Sequence, residues 1–186
     1  MKALALVSLL GLAACAAVPE SRPAVPLRAL AELPGFQLTG RLQVRDGERS
    51  AVVGLDWQHA RERDTWLFVG PLGQGLARID SEVGGARMTL SDGRQVTAGT
   101  AAELAEGVLG VSAPFAELPR WVTARVGPGA ELRATDALGR PRQVIDAGWT
   151  IDYIDYAEDG PDDLPRKLDI HRGDTRLRLI VDSWNP

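Results

Sequence analysis

The sequence predicts a mainly β (α+β) fold: a long, curved antiparallel β-sheet whose concave face is covered by two short helices. Short segments rich in β-branched and aromatic residues recur along the chain, separated by tight turns. The last segment alternates Leu177, Leu179 and Val181 with charged residues, as in an antiparallel strand with one solvated face. Helix-forming stretches interrupt the strands in the middle of the chain.

Before the first strand, the chain carries an export and lipidation signal. Residues 3–12 form an apolar run that follows Met1-Lys2 and is too short to span a bilayer as a helix. The run ends in Leu12-Ala13-Ala14-Cys15, which has the pattern of a bacterial lipobox. We therefore expect residues 1–14 to be a lipoprotein signal peptide and Cys15 to be lipidated. The alternative is an ordinary signal peptide with an incidental cysteine, although Cys15 is the only cysteine in the sequence.

Residues 15–34 are expected to form a lipidated, flexible tether, because Pro19, Pro23 and Pro26 stand among small residues without apolar periodicity. Two or more acyl chains, at about 0.8 kcal/mol per buried CH₂, make such an anchor effectively permanent. Ala16 follows the cysteine in place of the aspartate that retains many lipoproteins in the inner membrane. The expected location is therefore the outer membrane, with the protein facing the periplasm.

Residues 35–186 are expected to form one domain. Asp46-Gly47 and Asp92-Gly93 are turn signals that mark two hairpins. The predicted strands cover residues 36–45, 50–58, 64–69, 76–81, 86–90, 94–96, 143–146, 149–156, 167–171 and 175–182.

Two helices are predicted between the sixth and seventh of these strands. Thr100 and Glu103 have the spacing of a capping box, which begins a helix over residues 101–109. A second helical segment is predicted over residues 115–125, with Pro119 near its start, where a proline costs least if the helix begins at Leu118. Its apolar residues fall at helical spacing: Phe115, Leu118, Trp121 and Val122.

Leu72 lies in the turn-forming run of residues 70–75, between Pro71 and Gly73. A large aliphatic residue at a loop tip has two interpretations. It folds back onto the core, or it is presented to something apolar, for which a lipid bilayer is the best candidate.

Five tryptophans in one small domain also allow two interpretations. They fill an ordinary core, or they line a cavity with room for an acyl ligand. The five are Trp57, Trp66, Trp121, Trp149 and Trp184.

Several classes of function find no support in the sequence. The net charge of −4 and the scattered basic residues do not resemble a nucleic-acid footprint. No catalytic motif or metal-ligand spacing is present, and we expect no enzyme, metal or cofactor. His59 and His171 are expected to be solvated strand ends. The acidic segment 152–163 fits a solvated loop, with a docking surface for a basic partner as the alternative.

Several short motifs occur in an order and spacing that resemble a known family. They are Gly40-Arg41-Leu42, Trp57, Pro71-Leu72-Gly73, residues 118–121, Gly148-Trp149 with Tyr153, Leu164-Pro165 and residues 178–184. With the lipobox, they resemble the LolB family, outer-membrane lipoproteins that receive other lipoproteins from the periplasmic carrier LolA.

The resemblance implies an open β-barrel with a helical lid over an apolar cavity. It implies that Pro71, Leu72 and Gly73 form a membrane-insertion loop. The partners would be LolA, acylated lipoprotein cargo and outer-membrane lipids, with no nucleic acid, and the protein would be a monomer. The alternative is a structural or envelope-assembly lipoprotein with a filled aromatic core and no cargo transfer. The candidate cavity-lining residues are Trp57, Trp66, Phe68, Leu118, Trp121, Trp149, Tyr153 and Trp184.

Overall fold

The structure, a computed structural model, describes residues 33–185. The predicted signal peptide, Cys15 and all of the predicted tether before Leu33 lie outside the described residues. No helix within residues 33–185 combines the length and the apolarity that crossing a bilayer requires.

Eleven strands within the described range form one antiparallel sheet. They are β1 (Gly35–Asp46), β2 (Arg49–Ala60), β3 (Arg63–Val69), β4 (Gly75–Glu82), β5 (Gly85–Leu90), β6 (Gln95–Ala98), β7 (Glu131–Thr135), β8 (Pro141–Asp146), β9 (Trp149–Tyr156), β10 (Pro165–Arg172) and β11 (Thr175–Asn185). Their order in the sheet is β6-β5-β4-β3-β2-β1-β11-β10-β9-β8-β7. The sheet is open, with β6 and β7 at its edges, and this confirms the predicted fold class.

The first and last strands meet at the middle of the sheet. Leu42 pairs with Leu179 and Val44 with Leu177, so the buried faces of β1 and β11 coincide. Gly40 lies at an irregularity in this pairing, where a Cβ atom would collide with the carbonyl oxygen of Ile180. The close approach of the two strands therefore requires glycine at this position.

The first helix, α1 (Ala101–Leu109), has the predicted bounds and packs against β4, β5 and β6. The backbone N–H of Glu103 donates to Thr100 Oγ1 at 3.3 Å, which caps the first turn. Gly110 adopts a left-handed conformation (φ 70°) and ends the helix. The apolar side of α1 faces the sheet, with Leu104, Ala105 and Leu109 buried.

The second helix is shorter than predicted. Only Leu118–Val122 (α2) is helical, rather than residues 115–125. Pro119 lies in the first turn of α2, the only part of a helix that accepts a proline ring, so the helix begins just before this residue. At the other end, Ala124 has a positive φ of 55°, which an α-helix cannot contain. β7 was not predicted at all, because an exposed edge strand carries no apolar alternation.

The antiparallel order sorts the turns to two ends of the sheet. The β3–β4 loop, which carries Leu72, lies at one end with the β1–β2, β5–β6, β8–β9 and β10–β11 turns. We call this the Leu72 end. The β9–β10 loop, with Glu158, Asp159, Asp162 and Asp163, lies at the opposite, acidic end. β1 begins at the acidic end, since Gly35 pairs with Ala60 beside the β2–β3 turn.

Candidate functional site

An apolar cavity lies between the sheet and the segment that leads into α2. Its volume is about 10 Å³, close to the minimum that holds one water molecule. The lining comes from β1, β2, β3, β10, β11 and the helical segment, and every lining residue is of an apolar type. These residues are Leu42, Leu55, Trp57, Trp66, Phe68, Phe115, Leu118, Val122, Ile170, Leu177 and Leu179.

Strand alternation places the aromatic residues of this cavity. Trp57 pairs with Trp66 across β2 and β3, and their ring centroids are 5.7 Å apart. Phe115 covers both strands from the helical segment. Its ring is nearly perpendicular to Trp66 at a centroid distance of 5.3 Å, and to Phe68 at 6.4 Å.

The eight predicted lining residues divide into two sets. Trp57, Trp66, Phe68 and Leu118 come together at this cavity. The other four belong to neighbouring parts of the core or its margin: Trp121, Trp149, Tyr153 and Trp184. Trp121 and Trp149 approach each other at 6.3 Å, and Trp184 is half-buried against Phe36. In this structure the aromatic side chains are close-packed.

A polar network ties α2 to β8 and β9. Trp121 Nε1 donates to Asp146 Oδ2 at 2.8 Å, and the Tyr153 hydroxyl donates to the Trp121 carbonyl oxygen at 3.0 Å. The Arg120 guanidinium contacts the carboxylates of both Asp146 and Glu117. Burial opposes the charged form of Arg120, but Glu117 and Asp146 outweigh that effect and raise its pKa.

The roles of Arg120 and Asp146 were not predicted from the sequence. Asp146 is buried although it stands directly before the β8–β9 turn, where an aspartate is ordinarily solvated. No spacing in the sequence distinguishes this buried pair from two surface charges.

Both histidines lie at strand ends, as predicted, but they are partly buried and each faces a carboxylate rather than open solvent. His59 Nδ1 lies 2.9 Å from Asp64 Oδ1, an oxygen that also accepts from Trp57 Nε1 at 2.7 Å. His171 Nε2 lies 3.1 Å from Asp152 Oδ2. Among residues 33–185, no group of three or more histidine, cysteine, aspartate or glutamate side chains is placed to hold a metal ion.

The acidic loop is organised around a buried arginine. Arg140 Nη1 donates to the carbonyl oxygens of Glu158 and Gly160 at 3.0 and 2.9 Å. Its guanidinium also lies 4.1 Å from the Tyr156 ring centroid and pairs with Asp136. Most of the carboxylates of this loop are exposed, but its backbone is held in place.

Leu72 stands in solvent at the tip of an ordered loop. Its exposed fraction is 93 %, so the alternative in which it folds back onto the core is wrong. Gly70 N donates to the Gln74 carbonyl oxygen at 2.8 Å, and Gly73 N donates to that of Gly70 at 2.9 Å. The Gln74 side chain folds back into the loop, where its Oε1 accepts from Leu72 N at 3.1 Å.

Comparison with known proteins identifies the family. The family model described as outer membrane lipoprotein LolB matches residues 34–184, nearly the whole described range. The chain belongs to the LolB family. It is 40 % identical over 185 residues to the outer-membrane lipoprotein LolB of Azoarcus sp. (strain BH72), covering 99 % of this chain and 94 % of that one. It is 38 % identical over 189 residues to the LolB of Thiobacillus denitrificans, covering 99 % and 98 %.

This membership confirms the resemblance inferred from the sequence motifs. Among solved structures, a LolA superfamily protein from Nitrosomonas europaea is similar with a TM-score of 0.48 and 8 % identity, over 84 % of this chain and 87 % of that one. A likeness at that level gives no information about function.

Proposed function

We propose that this LolB-family protein accepts acylated lipoproteins from the periplasmic carrier LolA and incorporates them into the outer membrane. In this proposal, lipidated Cys15 anchors the protein in that membrane and the domain faces the periplasm. The proposal rests on the combination of two features in one domain. The lining of the cavity is entirely apolar, and an apolar residue, Leu72, is 93 % exposed at the tip of an ordered loop. Membership of the family supports the same role.

The chemistry of the cargo explains the need for the interior. Moving an acyl chain into water costs about 0.8 kcal/mol for each CH₂ group, so a lipoprotein cannot cross the periplasm unshielded. A receptor with a more favourable interior than its carrier, followed by a still more favourable bilayer, lets each transfer run downhill without a nucleotide.

The cavity must enlarge before it holds an acyl chain. Sites for ligands of that size have volumes of roughly 300–1,000 Å³, against about 10 Å³ here. Phe115 covers the cavity through ring contacts, whereas Trp121 is hydrogen-bonded to Asp146. We therefore place the opening at the Phe115 side, with the end of α2 near Trp121 as the fixed point.

The Leu72 loop serves the delivery step. Its tip adds apolar surface that is favourable in the bilayer, while the fold does not depend on it. The acidic loop lies at the opposite end of the sheet and is directed away from anionic phospholipids when Leu72 meets the membrane.

The alternative function is a structural envelope lipoprotein with a filled core, and the close-packed tryptophans favour it. Dye binding separates the two. The mature chain, residues 15–186 with Cys15→Ala, should bind a fluorescent apolar dye, and a purified acylated lipoprotein should displace it. Failure of the dye and of the lipoprotein to bind would favour the structural alternative.

A further inference from the structure

One polar atom of a residue that lines the apolar cavity is buried without a hydrogen-bond partner in the described part of the chain. Trp66 is 2 % exposed, and its Nε1 is buried with no acceptor among residues 33–185. Three other tryptophans donate at ordinary distances: Trp57 to Asp64 at 2.7 Å, Trp121 to Asp146 at 2.8 Å, and Trp184 to the Pro165 carbonyl oxygen at 2.9 Å. Trp66 is therefore an exception within the same domain.

A buried donor without an acceptor is unfavourable and rare in folded proteins. Water is a poor partner here, because a bound water needs two to four polar groups and the surface of the cavity is entirely apolar. Phe115 is the ring set perpendicular to Trp66, at 5.3 Å. An aromatic face is at best a weak acceptor.

We propose that Trp66 Nε1 is the donor that recognises the carbonyl oxygen of an acyl ester or amide when a lipid chain occupies the cavity. The inference rests on the proposed function and deepens it by naming the polar group of the cargo that the site recognises. The methylenes of the chain match the apolar lining. The carbonyl at its head brings an acceptor and no donor, which a lone indole N–H complements.

The same chemistry sets the selectivity of the site. A free fatty-acid carboxylate would bring a charge that one neutral donor in an apolar cavity does not compensate. A hydrocarbon or an ether-linked chain would leave the indole N–H without a carbonyl partner. The site therefore favours esters and amides over both. Phe115 moves aside when the chain enters, and the carbonyl takes the place of its ring beside Trp66.

A matched pair of amphiphiles tests the inference: 1-monomyristoylglycerol and 1-O-tetradecylglycerol, which differ only in the carbonyl group. Both are titrated against dye-loaded mature chain, residues 15–186 with Cys15→Ala, so that no acyl group of its own competes. The ester should bind about 3- to 10-fold more tightly than the ether, as expected for one net hydrogen bond. Trp66→Phe, which keeps an aromatic ring and removes the N–H, should bind the two equally. Trp184→Phe is the control and should keep the preference for the ester.

Indole ¹H–¹⁵N NMR gives a second measurement that does not depend on the variant folding. The Trp66 Nε1–H resonance should shift downfield with the ester and not with the ether. Equal binding of the two amphiphiles by the unsubstituted chain, or an ester preference that survives Trp66→Phe, would overturn the inference while leaving the proposed function intact. Failure of both amphiphiles to displace the dye would overturn the proposed function and this inference together.

Discussion

Trp121 Nε1 donates to Asp146 Oδ2 at 2.8 Å, and this bond joins the only helix next to the cavity, among the described residues, to the end of β8. The same carboxylate also pairs with the Arg120 guanidinium, so Asp146 accepts from two side chains. If the lid opens at its Phe115 side, this contact is the fixed point about which it turns.

Replacing Asp146 should therefore destabilise the domain and loosen the lid together. We expect Asp146→Ala to lower the free energy of unfolding by about 2–3 kcal/mol, because the buried Trp121 N–H loses its acceptor and the partly buried Arg120 loses one of its two carboxylate partners. Asp146→Asn keeps an acceptor for Trp121 and should cost about half as much. Asp174→Ala, at an exposed turn position, should change stability by less than about 0.5 kcal/mol. Urea unfolding measures all three, and an Asp146→Ala variant as stable as the Asp174 control would refute the role of the network.

Leu72→Glu should separate acceptance of cargo from its delivery. An exposed loop tip tolerates a carboxylate with a change in stability of about 0.5 kcal/mol or less. The same carboxylate opposes entry into hydrocarbon. The variant should take lipoprotein from LolA normally and incorporate it poorly into liposomes.

The matched control for that variant is Val83→Glu. Val83 is 77 % exposed at the acidic end of the sheet, so the same change there should affect neither step. Normal liposome incorporation by Leu72→Glu would refute the membrane-insertion loop.

Gln74 should act as the support of the Leu72 loop. Gln74→Ala removes the acceptor of Leu72 N, and Gly70→Ala places a methyl group against the Gln74 side-chain amide. Each single variant should reduce delivery to liposomes without reducing acceptance. In the double variant the added methyl group no longer meets the Gln74 side chain. The factor by which its delivery to liposomes falls should therefore be smaller than the product of the factors for the two single variants. Multiplicative losses would show that the two residues act independently.

The Asp169–Arg178 pair should make stability depend on pH in the acid range. Arg178 donates to both carboxylate oxygens at 2.6 Å, and these hydrogen bonds lower the pKa of Asp169. The stabilisation is present above the unfolded pKa of about 3.9 and is lost as pH falls through the lowered folded value. Asp169→Asn should cost about 1 kcal/mol at pH 7, since Arg178 is partly solvated. In thermal melts, the difference in melting temperature between Asp169→Asn and the unsubstituted chain should shrink towards pH 3. A difference that stays constant with pH would contradict this role of the Asp169–Arg178 pair.

The sequence predicts those parts of the fold that local chemistry decides. The alternation of Leu177, Leu179 and Val181 and the Thr100 cap each have a local cause, and the structure has both features. The extent of α2 was wrong because Ala124, just after its end, is left-handed, and the usual sequence marker of that conformation, a glycine, is absent there. β7 was missed because its partner, β8, and not its own composition, makes it a strand.

The candidate site was predictable only in part for the same reason. An apolar tip between Pro71 and Gly73 is visible in the sequence, and so is the aromatic content of β2 and β3. The buried acceptor at Asp146 and the unpartnered donor at Trp66 depend on which side chains meet after folding. No pattern of residue types distinguishes Trp66 from Trp57, whose N–H has Asp64 as its partner.

The direction of β1 determines how far the proposed anchor must reach. The strand begins at Gly35, at the acidic end, and runs for 12 residues to the Leu72 end, a distance of about 40 Å at roughly 3.3 Å per residue. The chain therefore leaves the domain on the side that faces away from the membrane when Leu72 touches it. About 20 residues separate Cys15 from Gly35, and their contour length is at most about 70 Å. The predicted tether is thus long enough to run back along the domain, and most of its length is needed for anchor and loop to meet the same membrane.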